Sequence, residues 1–155
     1  MKNLAFQQSG FQLIELLIAL AVASLLAIIA IPSYSDYRDK ADDATAAADI
    51  RGISQKIERY YTENNRYPDS LADVNTASLL DPWKNPYHYL RINGAGLNGK
   101  AALRKDKSLV PINTDFDLYS SGKDSNSMPP LTAKTSQDDI VRANNGKYIG
   151  LASDY

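Results

Sequence analysis

A chain of 155 residues with 17 basic and 18 acidic side chains is long enough for one small domain and an accessory segment. Its near-neutral charge gives no electrostatic reason to expect nucleic acid as the main partner. It has no cysteine, which excludes disulfides and thiolate metal sites.

The polarity is unevenly divided along the chain. Phe11 to Ile31 read FQLIELLIALAVASLLAIIAI, with Glu15 the single charge and Gln12 and Ser24 the other polar side chains. As a helix this run spans roughly 31 Å, close to the hydrocarbon thickness of a bilayer. A buried core helix of a small protein would carry a polar face, which the run lacks. The preceding head, MKNLAFQQSG, has one basic residue, Lys2, and ends on a small residue, Gly10. A secretory signal places its small-residue cleavage site after the apolar stretch. Here Gly10 precedes it, so cleavage there leaves the apolar segment on the mature protein.

Gly10-Phe11-Gln12-Leu13-Ile14-Glu15 resembles the G-F-T-L-I-E cleavage and methylation motif of type IV prepilins and type II secretion pseudopilins, with Gln12 in place of Thr. The resemblance implies a leader over residues 1–10, cleavage after Gly10 by a prepilin peptidase, and methylation of the new N-terminal Phe11. It also implies a transmembrane and filament-core helix over 11–32. A carboxylate in the middle of a membrane helix costs roughly 2.5–3.5 kcal/mol. Glu15 lies near one end, where the cost is smaller, but it still needs a partner. The resemblance supplies one: the amine of Phe11 on a neighbouring subunit. Pro32 removes a backbone donor, so a kink or local loss of helix is expected over Ile28–Pro32.

After Pro32 the helical pattern resumes. Ile50, Ile53, Ile57 and Tyr60 or Tyr61 share one face, and Asn64-Asn65 with Tyr67-Pro68 mark the stop. One helix from about Phe11 to Asn64 is expected, its second half packed on a head over the rest of 33–155. Ser70 to Leu80 could hold a helical turn, and Asp81 to Tyr87 is turn-rich. Tyr87 to Ile92 reads as a strand, Asn93 to Gly99 as a turn, Ala101 to Arg104 as a returning strand, and Phe116 to Tyr119 as a further strand. Alternation through Phe116 and Leu118 points Asp117 away from their face, which makes Asp117→Ala a neutral control. Ser121 to Gln137 reads as polar and irregular. The fold class is α+β: a long N-terminal helix on a small antiparallel sheet.

Two head segments extend the resemblance. DPWKNPYHYL, Asp81 to Leu90, is similar to the DPWGNPY segment of the major pseudopilin of type II secretion. DLYSSGKD, Asp117 to Asp124, with DDI at Asp138 to Ile140, resembles that family's C-terminal calcium loop. The resemblance implies calcium held by Asp124, Asp138 and Asp139, with carbonyls near Tyr119 and Ser121. Spacing alone is not an EF-hand pattern and favours an ordinary solvated Asp-rich loop.

His88, the single histidine, sits in a strand pattern, and no nucleophile motif accompanies it. No phosphate loop or dinucleotide fingerprint is present. The expectation is a structural subunit, not an enzyme. It would insert once in the bacterial inner membrane with its head in the periplasm. Its partners would be copies of itself in a helical filament, minor pilins or pseudopilins, and an inner-membrane assembly platform. Two settings stay open: a type II secretion pseudopilus, or a surface type IV pilus for adhesion, motility or DNA uptake.

Overall fold

The computed structural model describes residues 12–94 and 102–155, and only the backbone at Ala30, Pro32 and Ser33. One helix, α1 (Leu13–Asn64), is followed by four short strands: β1 (His88–Arg91), β2 (Phe116–Ser120), β3 (Ile140–Ala143) and β4 (Tyr148–Leu151). The chain divides into two units between Asp39 and Lys40.

In the first unit, the twelve Leu, Ile and Val side chains from Leu13 to Ile31 are 51–75% exposed. Among the described residues this is the helix long and apolar enough to cross a membrane. Ser24 is tolerated in it because its hydroxyl donates to the Leu20 carbonyl within the helix, at 2.7 Å. The helix is continuous through Pro32, so the local loss expected there does not occur. A proline deletes one amide donor, and the flanking turns keep theirs.

In the second unit, α1 closes on the sheet. Ala46, Ile50, Ile53 and Ile57 are 0–2% exposed. They pack with Phe116, Leu118 and Ile140 from the sheet and with Leu71 and Tyr87. Small residues at 46 and 47 let the helix approach closely, and the isoleucines fill the interface. Tyr60 is half-buried, while Tyr61 is exposed and stacks on Tyr67 at 4.4 Å. Asn65, at φ 53°, takes the left-handed conformation that ends helices, and its N–H reaches the Tyr61 carbonyl. A 3-10 turn at Leu71–Val74 fulfils the helical turn expected after Ser70.

The sheet is antiparallel in the order β1-β2-β3-β4. β1 and β2 match the strands expected at Tyr87–Ile92 and Phe116–Tyr119, in a register that pairs Leu90 with Asp117. β3 and β4 are strands that patterning did not reveal. Ala102 to Arg104 is not a strand. The Arg104 N–H donates instead to a side chain, Asp117 Oδ2, at 2.9 Å. Of the turn expected at Asn93–Gly99, residues 95–99 lie outside the described residues.

Both sheet faces are covered. Val141 and Ala143 pack with Ile112, Leu131 and Ala152 in a second core. Asp117 does point away from Phe116 and Leu118, but it enters this second layer and is 1% exposed. Arg104 and Asn113 donate to its two oxygens. Burial raises its pKa above the ordinary carboxylate value. It is therefore no neutral control.

Candidate functional site

Two regions carry the residues singled out from the sequence. The first is the start of α1. Gly10 and Phe11 lie outside the described residues. Glu15 occupies the first helical turn, where its Oε2 accepts the Gln12 N–H at 3.0 Å. An acid three residues into a helix satisfies an otherwise unpaired amide and faces the positive end of the helix dipole. In the single chain the carboxylate is thus already aimed at the helix start. The sequence suggests a neighbour's amine or the headgroup level for Glu15, not this cap; the x-x-Glu spacing before the apolar run is the signal for it.

The second region is the C-terminal loop. Tyr119 lies in β2, paired with Val141, and Ser121 follows the strand, buried. Asp124 is exposed and accepts the Asn126 N–H at 2.7 Å. Asp138 Oδ2 accepts the Asp124 N–H at 3.1 Å, which brings those two residues together across the loop. Gly122, at φ +63°, passes so close that a Cβ would meet the Asp138 carbonyl and carboxylate. Only glycine fits there. Asp139 points elsewhere. It is fully buried, and its Oδ2 contacts Arg104 Nη2 at 2.6 Å and Ser127 Oγ at 2.5 Å. Burial pushes its carboxyl up to about 6, against the pull of Ser127 and Arg104. Among the described residues no group of three or more His, Asp or Glu side chains is arranged to hold a metal ion.

Arg104 is the residue that sequence reading missed. No spacing marks it, since its partners lie 13 to 35 positions away. Asp81 was legible: an Asp before Pro-Trp forms an Asx turn. Its Oδ1 accepts the Trp83 and Asn85 N–H groups, and its Oδ2 accepts Ser120 Oγ. The turn also presents Asn85, which donates to the Gly122 carbonyl at 3.1 Å and accepts Ser125 Oγ at 2.9 Å. The DPWKNPY turn thereby holds the first end of the C-terminal loop. His88 stacks on Tyr119 at 4.8 Å. Burial and the nearby Arg104 charge hold it below the ordinary histidine value.

The comparisons with known proteins agree with this architecture. A family model described as type IV minor pilin ComP, DNA uptake sequence receptor, matches residues 32–96. The type II secretion system core protein G of Aeromonas hydrophila is 30% identical over 129 residues, covering 64% of this chain and 90% of that protein. The core protein G of Pseudomonas aeruginosa is 29% identical, covering 76% and 85%, and that of Pectobacterium carotovorum 27%, covering 87% and 84%. No solved structure matches the chain. A long helix on a small antiparallel sheet, together with alignment to nearly the whole of these relatives, means that the chain belongs to the type IV pilin-like family, in the branch of the type II secretion system core protein G pseudopilins.

Proposed function

We propose that the protein is a structural subunit of a type II secretion pseudopilus. It assembles through its N-terminal helix into a periplasmic filament that drives protein secretion. One observation carries the reading: the apolar stretch of α1 from Leu13 to Ile31 exposes its Leu, Ile and Val side chains among the described residues, and its single acid, Glu15, sits at its start. An apolar surface of this size requires lipid before assembly and neighbouring helices after it. The extent of the alignment to proteins named core protein G supports the secretion setting.

In this reading the precursor spans the inner membrane once with its head in the periplasm. A prepilin peptidase cuts after Gly10 and methylates Phe11. Glu15, already turned toward the helix start, exchanges its amide partner for the Phe11 amine of a neighbour at the assembly platform. The subunit has no enzymatic role. The match of residues 32–96 to a type IV minor pilin model favours a second setting, a subunit of a surface pilus.

Mass spectrometry of the membrane or filament fraction should find a chain starting at N-methylated Phe11. A Met1 start, or a cut beyond the apolar helix, overturns the reading. Glu15→Gln should insert normally but assemble poorly, because stranding one member of a buried charge pair costs about 3–5 kcal/mol. Deleting the gene separates the two settings: lost exoprotein secretion with intact surface pili supports the pseudopilus, and the reverse supports the pilus.

A further inference from the structure

The loop from Ser125 to Gln137 is mostly polar, and although Leu131 enters the second core, the stretch before it must be ordered by polar contacts. The resemblance assigns that work to calcium. The side chains point to a different device. Arg104 is 3% exposed, and its guanidinium is inserted between the loop and the sheet. Nη1 donates to Ser127 Oγ at 2.5 Å and to the Met128 carbonyl at 2.8 Å. Nη2 donates to Asp139 Oδ2 at 2.6 Å. The guanidinium carbon lies 4.3 Å from the centre of the Tyr119 ring. Arg104 is itself anchored through its backbone N–H on Asp117. Ser136 completes the clasp: its hydroxyl accepts the Met128 N–H and donates to the Met128 carbonyl.

We propose that Arg104 is the built-in cation of the C-terminal loop, whose guanidinium, rather than a bound calcium ion, holds the loop against the sheet. The residues implied for calcium do not form its shell. Asp139 is turned onto Arg104, and Asp138 onto the Asp124 amide. A divalent ion that took Asp139 as a ligand would sit beside a fixed positive charge in a poorly solvated place. A guanidinium suits the site because its rigid fork reaches a carboxylate, a hydroxyl and a carbonyl at once. The proposal rests on the pseudopilin reading only for the expectation it displaces.

The test uses the full chain in detergent. Its melting midpoint should be the same in calcium and in chelator, to within about 1 °C, and calorimetry should detect no saturable calcium binding. Asp139 Oδ1 is buried without a hydrogen-bond partner among the described residues. Calcium binding with a raised midpoint is thus a real rival, and it overturns the proposal. Arg104→Met should lower the midpoint by on the order of 10 °C and open the loop to trypsin after Lys134. Arg104→Lys should fall between, because an ammonium cannot reach all three acceptors. Adding Asp139→Asn to Arg104→Met should recover part of the loss by removing the stranded charge. Unchanged melting and an intact loop in Arg104→Met also overturn the proposal. If that variant does not fold, the calcium measurements on the unaltered chain decide alone. None of these readouts depends on filament assembly, so a failure of the pseudopilin reading would not be mistaken for a failure of this one.

Discussion

At the scale of single residues, backbone conformation decides which substitutions help. Gly52 lies inside α1 on an exposed face, and a Cβ built there meets no atom within 4 Å. Gly52→Ala should stabilise the head by about 0.5–1 kcal/mol, since alanine has less chain entropy to lose in a helix. Lys84 presents the opposite case. It sits at φ 75°, a left-handed conformation, in the turn that Asp81 organises. An L side chain is strained there, and glycine is not. Lys84→Gly should therefore stabilise, by up to about 1 kcal/mol, whereas Lys84→Ala should gain nothing. Chemical denaturation of the three variants checks both signs at once. Gly52→Ala and Lys84→Gly shifting the midpoint in opposite directions would contradict this account.

At the scale of elements, what was legible depended on how local the stabilising contacts are. The helix could be read because its isoleucines repeat at the helical spacing and asparagines mark its end. β1 and β2 could be read as aromatic and branched runs between turn residues. β3 and β4 could not. β3 carries Arg142, which is 3% exposed and looks unsuited to a core strand. Its charge is met by Asp115 at 2.6 Å, its plane stacks 3.8 Å from the centre of the Phe116 ring, and Glu58 on α1 lies 3.6 Å away. Only the folded chain brings those partners together. The C-terminal loop shows the same limit: its acids were visible as candidate ligands, but the guanidinium that claims one of them was not. The strand wrongly expected before Lys105 failed because the Arg104 amide bonds to Asp117 rather than to a ladder. Asp117→Ala should accordingly cost about 1–3 kcal/mol, since it leaves the Arg104 N–H and Asn113 Nδ2 without their acceptor. A thermal melt indistinguishable from that of the unaltered chain would show that these donors find other partners.

At the scale of the whole molecule, buried acids set the response to pH. Burial raises the pKa of Glu58, Asp117 and Asp139, in each case outweighing the attraction of a neighbouring arginine. Asp139 is the largest of these, lifted from 3.8 to about 6; Arg104 and Ser127 pull it down and Asp138 pushes it further up. A group whose folded pKa is raised binds its proton more tightly when folded. Its contribution is therefore fully present below the unfolded value and is lost as pH rises through the folded one. For Asp139 that window runs from about pH 4 to about pH 6, and it predicts a gain of about 1 kcal/mol on going from pH 7 to pH 5. Glu58 and Asp117 act in the same direction, whereas His88, held below its ordinary value by burial and by Arg104, acts against them as pH falls through the histidine range. Because His88 is common to both chains, the unaltered chain in detergent should gain in melting midpoint relative to Asp139→Asn on going from pH 7 to pH 5. Asp139→Asn, which cannot titrate, should flatten the slope at that position. Equal slopes in the two chains would mean that the Arg104 charge offsets burial at Asp139. Protonation at Asp139 leaves Arg104 its bond to the Met128 carbonyl, so the loop should stay closed to trypsin across this range.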